Sequence, residues 1–518
     1  MLKARFLRGM LAAGVVLTPA IITLLLVYGY VGASLGDFIP HHYPLDDLYY
    51  WRQIDTFRAV GLDGGYYVSN EQPAPADFTH FDPHGPYFPA LYGLPARIVG
   101  WEPYSPLLFN LVTVTLGLAL VVGLLRLDER QLIAAGLLTA TAWPVLLYIV
   151  SGMQESVHHA FALLLVIGFA LTLRERSALR PGLKLLFAAL IFVAALFRLT
   201  WALLALPYFV LLAERVTWRS VLRAVALTGV LIALAWLLTA ATTYAPYADN
   251  LPSMIQREAS DAWREDGVWA ALTTTLDLVG QNIADNIDFF DEGLRLEVVQ
   301  RYQIAALIGV LAGWLAVLWR RRADDHAVGA LPEAALHLYN LGAILALNIV
   351  IYTMAGWRDY RVLAPHLLLT GFLLVARRRF WLVGIVIVTN LLMILPFKDY
   401  YLAFGQMYLG YDHAPITRFE DATRAHIVYE PDAPDAWCNT LLMDYHDSYA
   451  PALIGLPAGI GMSYFVVPDA LETPLRSRYL LLFPDDYEAL RARADLELLT
   501  TTEIGDLYLN RDANCAIP

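Results

Sequence analysis

The sequence predicts an all-α protein that crosses a membrane many times, with about eleven transmembrane helices and a small α/β domain at its C-terminal end. Composition is the first observation behind this prediction. Of the 518 residues, 58% are hydrophobic and only 16% are charged, and the mean hydropathy is +0.51. A soluble protein of this length is rarely so apolar. The net charge of −12 excludes nucleic acid as a partner, because no contiguous basic face is available.

The second observation is a series of apolar runs, each of about 17–22 residues, which as helices can cross a bilayer core of roughly 30 Å. The first run, 11–31, follows three basic residues. It lacks a convincing cleavage site, so we interpret it as an uncleaved span rather than a signal peptide. The other predicted spans lie near 106–125, 131–150, 157–173, 183–198, 200–213, 222–244, 302–319, 333–354, 362–376 and 380–397.

The third observation is the position of the arginine clusters. With the N-terminus in the cytoplasm, every strong cluster falls on the cytoplasmic side of the predicted alternation, as the positive-inside bias requires. This result depends on region 183–213 being a tight hairpin of two short spans. We therefore expect a multi-pass plasma (inner) membrane protein whose C-terminal domain is extracytoplasmic. The clusters lie at 126–130, 174–184, 215–223, 320–322 and 377–379.

Two units follow from this topology. Residues 1–397 form the transmembrane domain, with outer loops 33–105 and 246–301, and residues 398–518 form the extracytoplasmic domain. Strand-like runs at 478–483 and 506–509, with a helix-like segment between them, predict a small α/β fold. Cys438 and Cys515 either form one disulfide, if this domain faces an oxidising compartment, or stay free thiols.

Two adjacent carboxylates, Asp46 and Asp47, open the first outer loop directly before Leu-Tyr-Tyr-Trp. Near a membrane surface the low dielectric raises the cost of two neighbouring like charges. One interpretation is a general base beside an aromatic platform for sugar or lipid, with or without a divalent cation. The other is a helix start capped by Asp and followed by an interfacial aromatic belt.

Histidines close the same loop. His80, Asp82 and His84 alternate along the chain, a pattern that fits a metal or a phosphate. The alternative is a Pro- and Gly-rich loop that enters an interfacial helix, with histidines that are merely hydrogen-bonded.

Charged residues from further outer segments point to the same surface. Glu155 stands at the mouth of a span beside two histidines, where helix capping is the simpler explanation. Arg198, Arg358 and Arg361 lie at outer ends, against the positive-inside bias, so each needs a carboxylate or an anionic ligand such as phosphate. Five segments thus bring ionisable residues to one face. This pattern favours the handling of a phosphorylated substrate at the bilayer surface.

These motifs resemble a known family. Residues 46–51 resemble the Asp-Glu/Asp-x-Tyr-Tyr element of the GT-C superfamily, specifically the polyprenyl-phosphate-sugar-dependent transferases related to protein O-mannosyltransferases and to the aminoarabinose transferase of lipid A. Residues 84–93 are similar to their Lys/His-Pro-Pro-Leu-Tyr segment. A Glu at 155, an Arg-x-Thr at 198–200 and an Arg-Tyr-x-x-x-Pro-like run at 360–365 follow in the same order. The resemblance covers about 1–400.

The resemblance implies a GT-C-like fold and transfer of a sugar, with inversion, from a polyprenyl-phosphate donor to an extracytoplasmic glycan, lipid or protein. Carried over, Asp46 would deprotonate the acceptor and Asp47 would support it. The remaining motif positions would bind substrate: His84, Arg358 and Arg361 would neutralise the lipid phosphate, Glu155 and Arg198 would line the pocket, and Tyr49 and Tyr87 belong to the binding motifs.

Several alternatives stay open. Loop 246–301 is either a flexible lid over the acceptor site or a solvated pair of amphipathic helices. A transporter or flippase of lipid-linked sugars is the competing function, but it should show charged residues at mid-membrane and matched broken helices. A polymerase or ligase would need different motifs, and a scaffold would tolerate loss of Asp46 and Asp47. The sugar, the acceptor, metal dependence, the identity of the base and the oligomeric state are not determined by the sequence.

Overall fold

The structure is a computed structural model. It describes residues 2–40, 46–64, 67–69, 85–175, 179–242, 251–296, 298–321, 331–350, 360–393, 413–427, 438, 440–444, 449–465, 471 and 475–513. Four predicted residues lie outside these ranges. They are the site residues His84 and Arg358, and His80 and Asp82 of the alternating histidine pattern. Asp46 begins a described helix, but its side chain is also outside the description.

Most of the described chain is helical. The helices are α1 Leu2–Leu24, α2 Asp46–Val60, α3 Tyr87–Val99, α4 Ser105–Leu125, α5 Glu129–Thr141, α6 Trp143–Ile149, α7 Glu155–Glu175, α8 Pro181–Phe197, α9 Ala205–Leu212, α10 Trp218–Thr242, α11 Leu251–Asp266, α12 Val268–Leu296, α13 Val298–Arg321, α14 Leu331–Val350, α15 Tyr360–Ala376, α16 Phe380–Leu392, α17 His413–His426, α18 Tyr449–Gly455 and α19 Pro484–Leu490. A π-helical turn, Leu25–Val31, extends α1, and a 3-10 segment, Leu199–Leu204, precedes α9.

The helix boundaries have local causes. Asp128 and Gln131 form a capping box that starts α5, because their side chains satisfy backbone N–H groups that have no partner inside the helix. Between α5 and α6 the chain bends by 57°. Pro144 lies at this bend and has no N–H with which to continue the helix. At Arg198 the backbone is extended (φ −155°, ψ 114°), which separates α8 from the 3-10 segment.

Within the described ranges, five helices are long and apolar enough to cross a membrane, or up to six if the bent α5–α6 pair is one span. The predicted spans at 183–198, 200–213, 333–354, 362–376 and 380–397 fall on shorter apolar helical stretches of 10–17 residues, which in α14 is the part Leu331–Leu347. The multi-pass membrane class agrees with these helices, whereas the number eleven stays a prediction. The predicted short hairpin at 183–213 corresponds to α8, the 3-10 segment and α9.

Helix α7 lies at the centre of the bundle, between α4 and α15. Within its most apolar window 83% of the residues are buried, against 22% for α1 and α10. The outer helices therefore present their apolar side chains to the surroundings, as lipid-facing helices do, while α7 is enclosed by protein. The first residue of α7, Glu155, is consequently fixed by packing on all sides.

A six-stranded sheet packs against one side of the bundle. Its strands are β1 Tyr67–Ser69, β2 Thr440–Asp444, β3 Gly461–Phe465, β4 Tyr479–Leu482, β5 Leu496–Thr501 and β6 Asp506–Asn510. The order is β1-β3-β2-β4-β6-β5, with parallel pairing from β1 to β4 and antiparallel pairing of β6 with β4 and β5. We call this side of the bundle the sheet side, and the opposite side the far side.

The sheet contains more of the chain than the C-terminal segment. Strand β1 comes from the first loop and pairs with β3, with Tyr67 opposite Met462. One sheet face, including Leu441 and Met462, belongs to the same core cluster as the bundle, while the other forms a separate cluster around Leu480. The predicted α/β domain is confirmed; its boundary at 397 stays a prediction.

Cys438 is disulfide-bonded. The chain has two cysteines, and the other, Cys515, lies outside the described residues. Of the two alternatives from the sequence, a disulfide or a free thiol, the disulfide is the state of Cys438.

Candidate active site

Helix α2 starts at the carboxylate pair. Asp46 is its first residue, and an acid there interacts favourably with the positive end of the helix dipole. Asp47 is buried, with 2% of its surface exposed, because the turn between α6 and α7 packs against it. A Cβ added at Gly152 would lie 2.7 Å from the carbonyl oxygen of Asp47. The close approach of this turn to Asp47 therefore requires glycine at 152.

Asn110, on α4, holds this turn in place. Its Nδ2 donates to the carbonyl oxygens of Tyr148, Ile149 and Ser151 at 3.1, 3.3 and 2.7 Å. The hydroxyl of Tyr92 donates to Oδ1 of the same side chain at 2.7 Å. Buried carbonyl groups at a helix break need donors, and one amide supplies them to three carbonyls here.

Glu155, Arg198 and Arg361 meet beside the turn. The Nη2 of Arg198 lies 2.9 Å from Oε1 of Glu155, which is 1% exposed. Its Nη1 donates to the carbonyl oxygen of Arg361 at 3.2 Å. The Nη1 of Arg361 lies 3.9 Å from the sulfur of Met153. The extended backbone at Arg198 separates two helices at this point, and the guanidinium reaches both α7 and α15.

The predicted binding tyrosines flank this cluster on two sides. The ring of Tyr49 stacks on Tyr464 of β3, with 6.0 Å between centroids. Tyr87 begins α3; its ring centroid lies 6.1 Å from that of Phe197, the neighbour of Arg198. Its hydroxyl lies 3.4 Å from Oγ1 of Thr242. Tyr87 thus borders the arginine cluster, while Tyr49 faces the sheet.

The structure therefore brings Asp47, Glu155, Arg198 and Arg361 together around one turn. The histidine pattern predicted to bind a metal or a phosphate, His80, Asp82 and His84, lies outside the described residues. Within the described ranges, no group of three or more His, Cys, Asp or Glu residues is arranged to hold a metal ion.

Arg52, on α2, is a contributor that sequence reasoning missed. It is 5% exposed and donates to the carbonyl oxygens of Leu456 and Pro457, and to that of Ile460 at 3.1 Å. Burial lowers the pKa of Arg52 to about 10, so the group stays charged at neutral pH. Arg52 joins the helix that starts with the carboxylates to the segment before β3. No local pattern distinguishes it from an ordinary helical arginine.

A line of polar and aromatic side chains runs from this site into the bundle. It was not predicted from the sequence. The Nε1 of Trp201 donates to Nδ1 of His158 at 3.1 Å, and the ring of Trp201 stacks on His366 at 4.5 Å. The Nδ1 of His366 donates to Oδ1 of Asn340 at 2.7 Å. His337 lies one helical turn from Asn340 and, like His366, is fully buried. The ionisable residues are therefore not confined to one face, contrary to the expectation from the sequence.

No family model matches the chain, and no curated protein matches it. Among solved structures it is similar to ArnT from Cupriavidus metallidurans bound to undecaprenyl phosphate, at 14% identity and a TM-score of 0.43, covering 96% of this chain and 98% of that one. The apo state of ArnT gives 13% identity and a TM-score of 0.43, covering 96% and 97%. ArnT is an aminoarabinose transferase of the GT-C class, the class that the sequence motifs resemble.

Proposed function

We propose that this chain is an integral-membrane inverting glycosyltransferase. It moves a sugar from a polyprenyl-phosphate donor to an extracytoplasmic acceptor, which is a glycan, a lipid or a protein. The observation that carries the proposal is the cluster of Glu155, Arg198 and Arg361 beside the buried Asp47. Four residues that the motifs assign to the site converge there from four separate regions of the chain.

The charges of this cluster suit a lipid phosphate. The guanidinium group of Arg198 is already paired with Glu155 at 2.9 Å, and that of Arg361 lies against Met153 of the neighbouring turn. The side chain of Arg361 is only partly buried, so an incoming phosphate can reach it. Guanidinium groups bind phosphate oxygens in bidentate geometry. Arg361, with Arg358 and His84, would neutralise the phosphate.

In the proposed reaction, Asp46 accepts a proton from the acceptor hydroxyl. The hydroxyl oxygen then attacks the anomeric carbon from the side opposite the phosphate, and a new glycosidic C–O bond forms with inversion. The bond from the anomeric carbon to the phosphate oxygen breaks, and its electron pair leaves with the polyprenyl phosphate. The arginines act on that developing charge, where preorganised donors in a poorly solvated site contribute most. Asp47 supports Asp46, and Tyr49 and Tyr87 border the sugar.

The test is sugar transfer by the purified full-length protein in detergent, with a panel of polyprenyl-phosphate sugars and extracted native acceptors. Release of polyprenyl phosphate is the readout. We expect turnover by the wild type and near-complete loss in Asp46→Asn with donor binding retained. Asp47→Asn, Arg358→Ala and Arg361→Ala should also lose activity. Glu102→Gln serves as the matched control, because it changes an exposed acid whose backbone carbonyl accepts from Trp51 of α2.

Two outcomes would change the proposal. Full activity of Asp46→Asn with loss in Asp47→Asn would move the base to Asp47. If no donor is consumed with any acceptor, the transferase proposal fails.

A flippase of lipid-linked sugars is the second candidate, favoured by one specific observation. His158, His366 and His337 lie inside the bundle, and ionisable side chains at membrane depth often mark a transport path. Movement of lipid-linked sugar between leaflets in liposomes, without consumption of donor, would support this candidate. Absence of such movement would count against it, and wild-type movement in a His366→Gln/His337→Gln double variant would show that these histidines do not form the path.

A further inference from the structure

The helical pair α11–α12 carries an apolar face that no described part of the protein covers. At the turn between the helices, Gly267 has φ +88°, and Trp263, Val268 and Trp269 around it are 65%, 61% and 76% exposed. Along α12 the exposed apolar residues continue at Leu272, Leu276 and Ile287, which are 46%, 61% and 53% exposed. Trp269, Leu272, Leu276 and Ile287 recur at helical spacing and therefore form one stripe.

The helix α12 is fixed at the level where a membrane helix ends. Asn282 and Asn286 donate through Nδ2 to the carbonyl oxygens of Val350 and Ile349, both at 2.9 Å. These carbonyls belong to the last described turn of α14. The contact therefore places the middle of α12 at the sheet-side end of an apolar helix.

The direction of α12 follows from helix lengths. Trp314 of α13 stacks on His337 of α14, with 5.3 Å between centroids, so these two residues are at the same depth. From that depth, α13 reaches back to Val298 by about 24 Å and α14 extends to Val350 by about 20 Å, at 1.5 Å per residue. Their sheet-side ends thus differ in height by only about 4 Å.

Helix α12 must cover the path between these two ends. From Asn286 to Leu296 the helix advances about 15 Å, which is far more than the difference in height. The helix therefore runs along the membrane surface rather than across it. Because α12 is continuous from Val268 to Leu296, its exposed stripe lies along the same surface.

The three faces of α12 are arranged for an interface. At 100° per residue, the apolar stripe, the asparagine face that binds α14, and the acidic face of Asp277, Asp285 and Asp288 are spaced by about 100–135°. With the asparagines turned sideways to the bundle, the apolar and the acidic faces point away from each other, about 130° apart. A helix in this arrangement lies with its apolar face in the lipid headgroup region, and Trp is enriched at that depth.

We propose that α11–α12 is an interfacial membrane-binding element, whose partner is the lipid of the leaflet on the sheet side. Trp263, Val268, Trp269, Leu272 and Leu276 insert among the lipid headgroups and upper acyl chains, while the acids of α12 face water. Continuity with the lipid-facing helices supports this partner, because α12 passes directly into α13. The inference does not depend on the proposed reaction.

The test uses the full-length protein in nanodiscs that hold one copy each. A cysteine is introduced at Leu276 or, as the matched control, at its neighbour Asp277, and is labelled without reductant with an environment-sensitive fluorophore. We expect quenching by lipids that carry a nitroxide in the upper acyl chain to be at least about threefold stronger at 276 than at 277, since only one of these faces meets lipid. Leu272→Cys with Thr273→Cys provides a second pair in case one variant folds poorly.

Equal quenching at both members of each pair, or quenching at neither, would overturn the proposal. Protection of the 276 label only in discs that hold two copies would also overturn it, because a second chain rather than lipid would then cover the stripe.

Discussion

Two buried glutamates, each paired with arginine, lie at opposite sides of the bundle. On the far side, Glu333 is 0% exposed and accepts from Arg379 with both oxygens, at 3.0 and 2.8 Å, while Arg377 approaches at 3.6 Å. On the sheet side, Glu155 pairs with Arg198 through one oxygen at 2.9 Å. Its Oε2 has no hydrogen-bond partner among the described residues.

The difference separates a structural ion pair from a candidate site. A carboxylate with a donor on each oxygen needs no ligand to satisfy it, and the role of Glu333 is to hold helices together. A buried carboxylate oxygen without a partner is costly, so it is expected where a ligand supplies the missing donor. In the proposed reaction, a sugar hydroxyl could fill that place at Glu155.

The largest expected effect is a loss of folding stability when the ion pair on the far side is broken. Glu333→Gln leaves Arg379 and Arg377 without a counter-charge, and breaking such a buried pair costs about 3–5 kcal/mol of folding free energy. Thermal unfolding in detergent should show this loss, whereas sugar transfer per folded molecule should stay close to wild type. Glu129→Gln, an exposed acid at the start of α5, is the control and should change neither quantity. A Glu333→Gln protein that is stable but inactive would break the comparison.

Glu155→Gln should have the next largest effect, and on activity. Without the carboxylate, Arg198 loses its charged partner and the donor site loses an acceptor. We expect sugar transfer per folded molecule to fall about 100-fold, typical for loss of one preorganised electrostatic group. Comparison of kcat/KM with the unfolding midpoint of the same sample checks this. Activity near wild type would mean that Glu155 is as purely structural as Glu333.

Asn110→Ala sharpens the comparison, because it disturbs the sheet-side turn without changing a charge. The carbonyls of Ile149 and Ser151 lose this donor, whereas that of Tyr148 keeps the hydroxyls of Ser151 and Ser156. Each unsatisfied buried group costs about 1–3 kcal/mol before the structure relaxes. We expect a moderate fall in the unfolding midpoint together with reduced kcat, since the turn also fixes Asp47. Thr113→Ala, one turn further along α4, is the control. If both variants behave alike, the turn is not held by Asn110.

The smallest effect is expected at an exposed ion pair. Arg418 and Glu503 approach to 2.6 Å, closer than either buried pair, but both side chains are exposed. Arg418→Ala should change stability by only about 0–1 kcal/mol, measured by the same thermal unfolding. A larger loss would show that distance, rather than burial, ranks the ion pairs of this protein.

The bundle could be predicted from the sequence because apolar runs identify their helices directly. Strand-like runs likewise predicted β4 and β6. Strand β1 could not be predicted, because it has only three residues and it pairs with a strand that is distant in the sequence, with Tyr67 opposite Met462. The number of spans could not be predicted either, because helices such as α16, with 13 residues, are shorter than the length that a span normally needs.

The charged residues of the candidate site were predicted from the sequence. The buried side chains that hold the site in place were not predicted. Glu155, Arg198 and Arg361 stand out because charge at the end of an apolar run is unusual. Asn110 offered a weaker signal of the same kind, a polar residue inside the apolar run 106–125. Arg52 offered none, because its three carbonyl partners are defined only by tertiary packing.

The contact between Arg52 and Leu456 joins residues 404 positions apart, and this has a consequence for biosynthesis. Helix α2 leaves the ribosome early, but its carbonyl partners and the sheet beside it are made near the end of translation. The two carboxylates cannot reach their final position until the membrane helices have been inserted and the C-terminal segment has folded back onto α2. Premature termination before Leu456 would therefore yield a protein with an inserted bundle and an unfinished site.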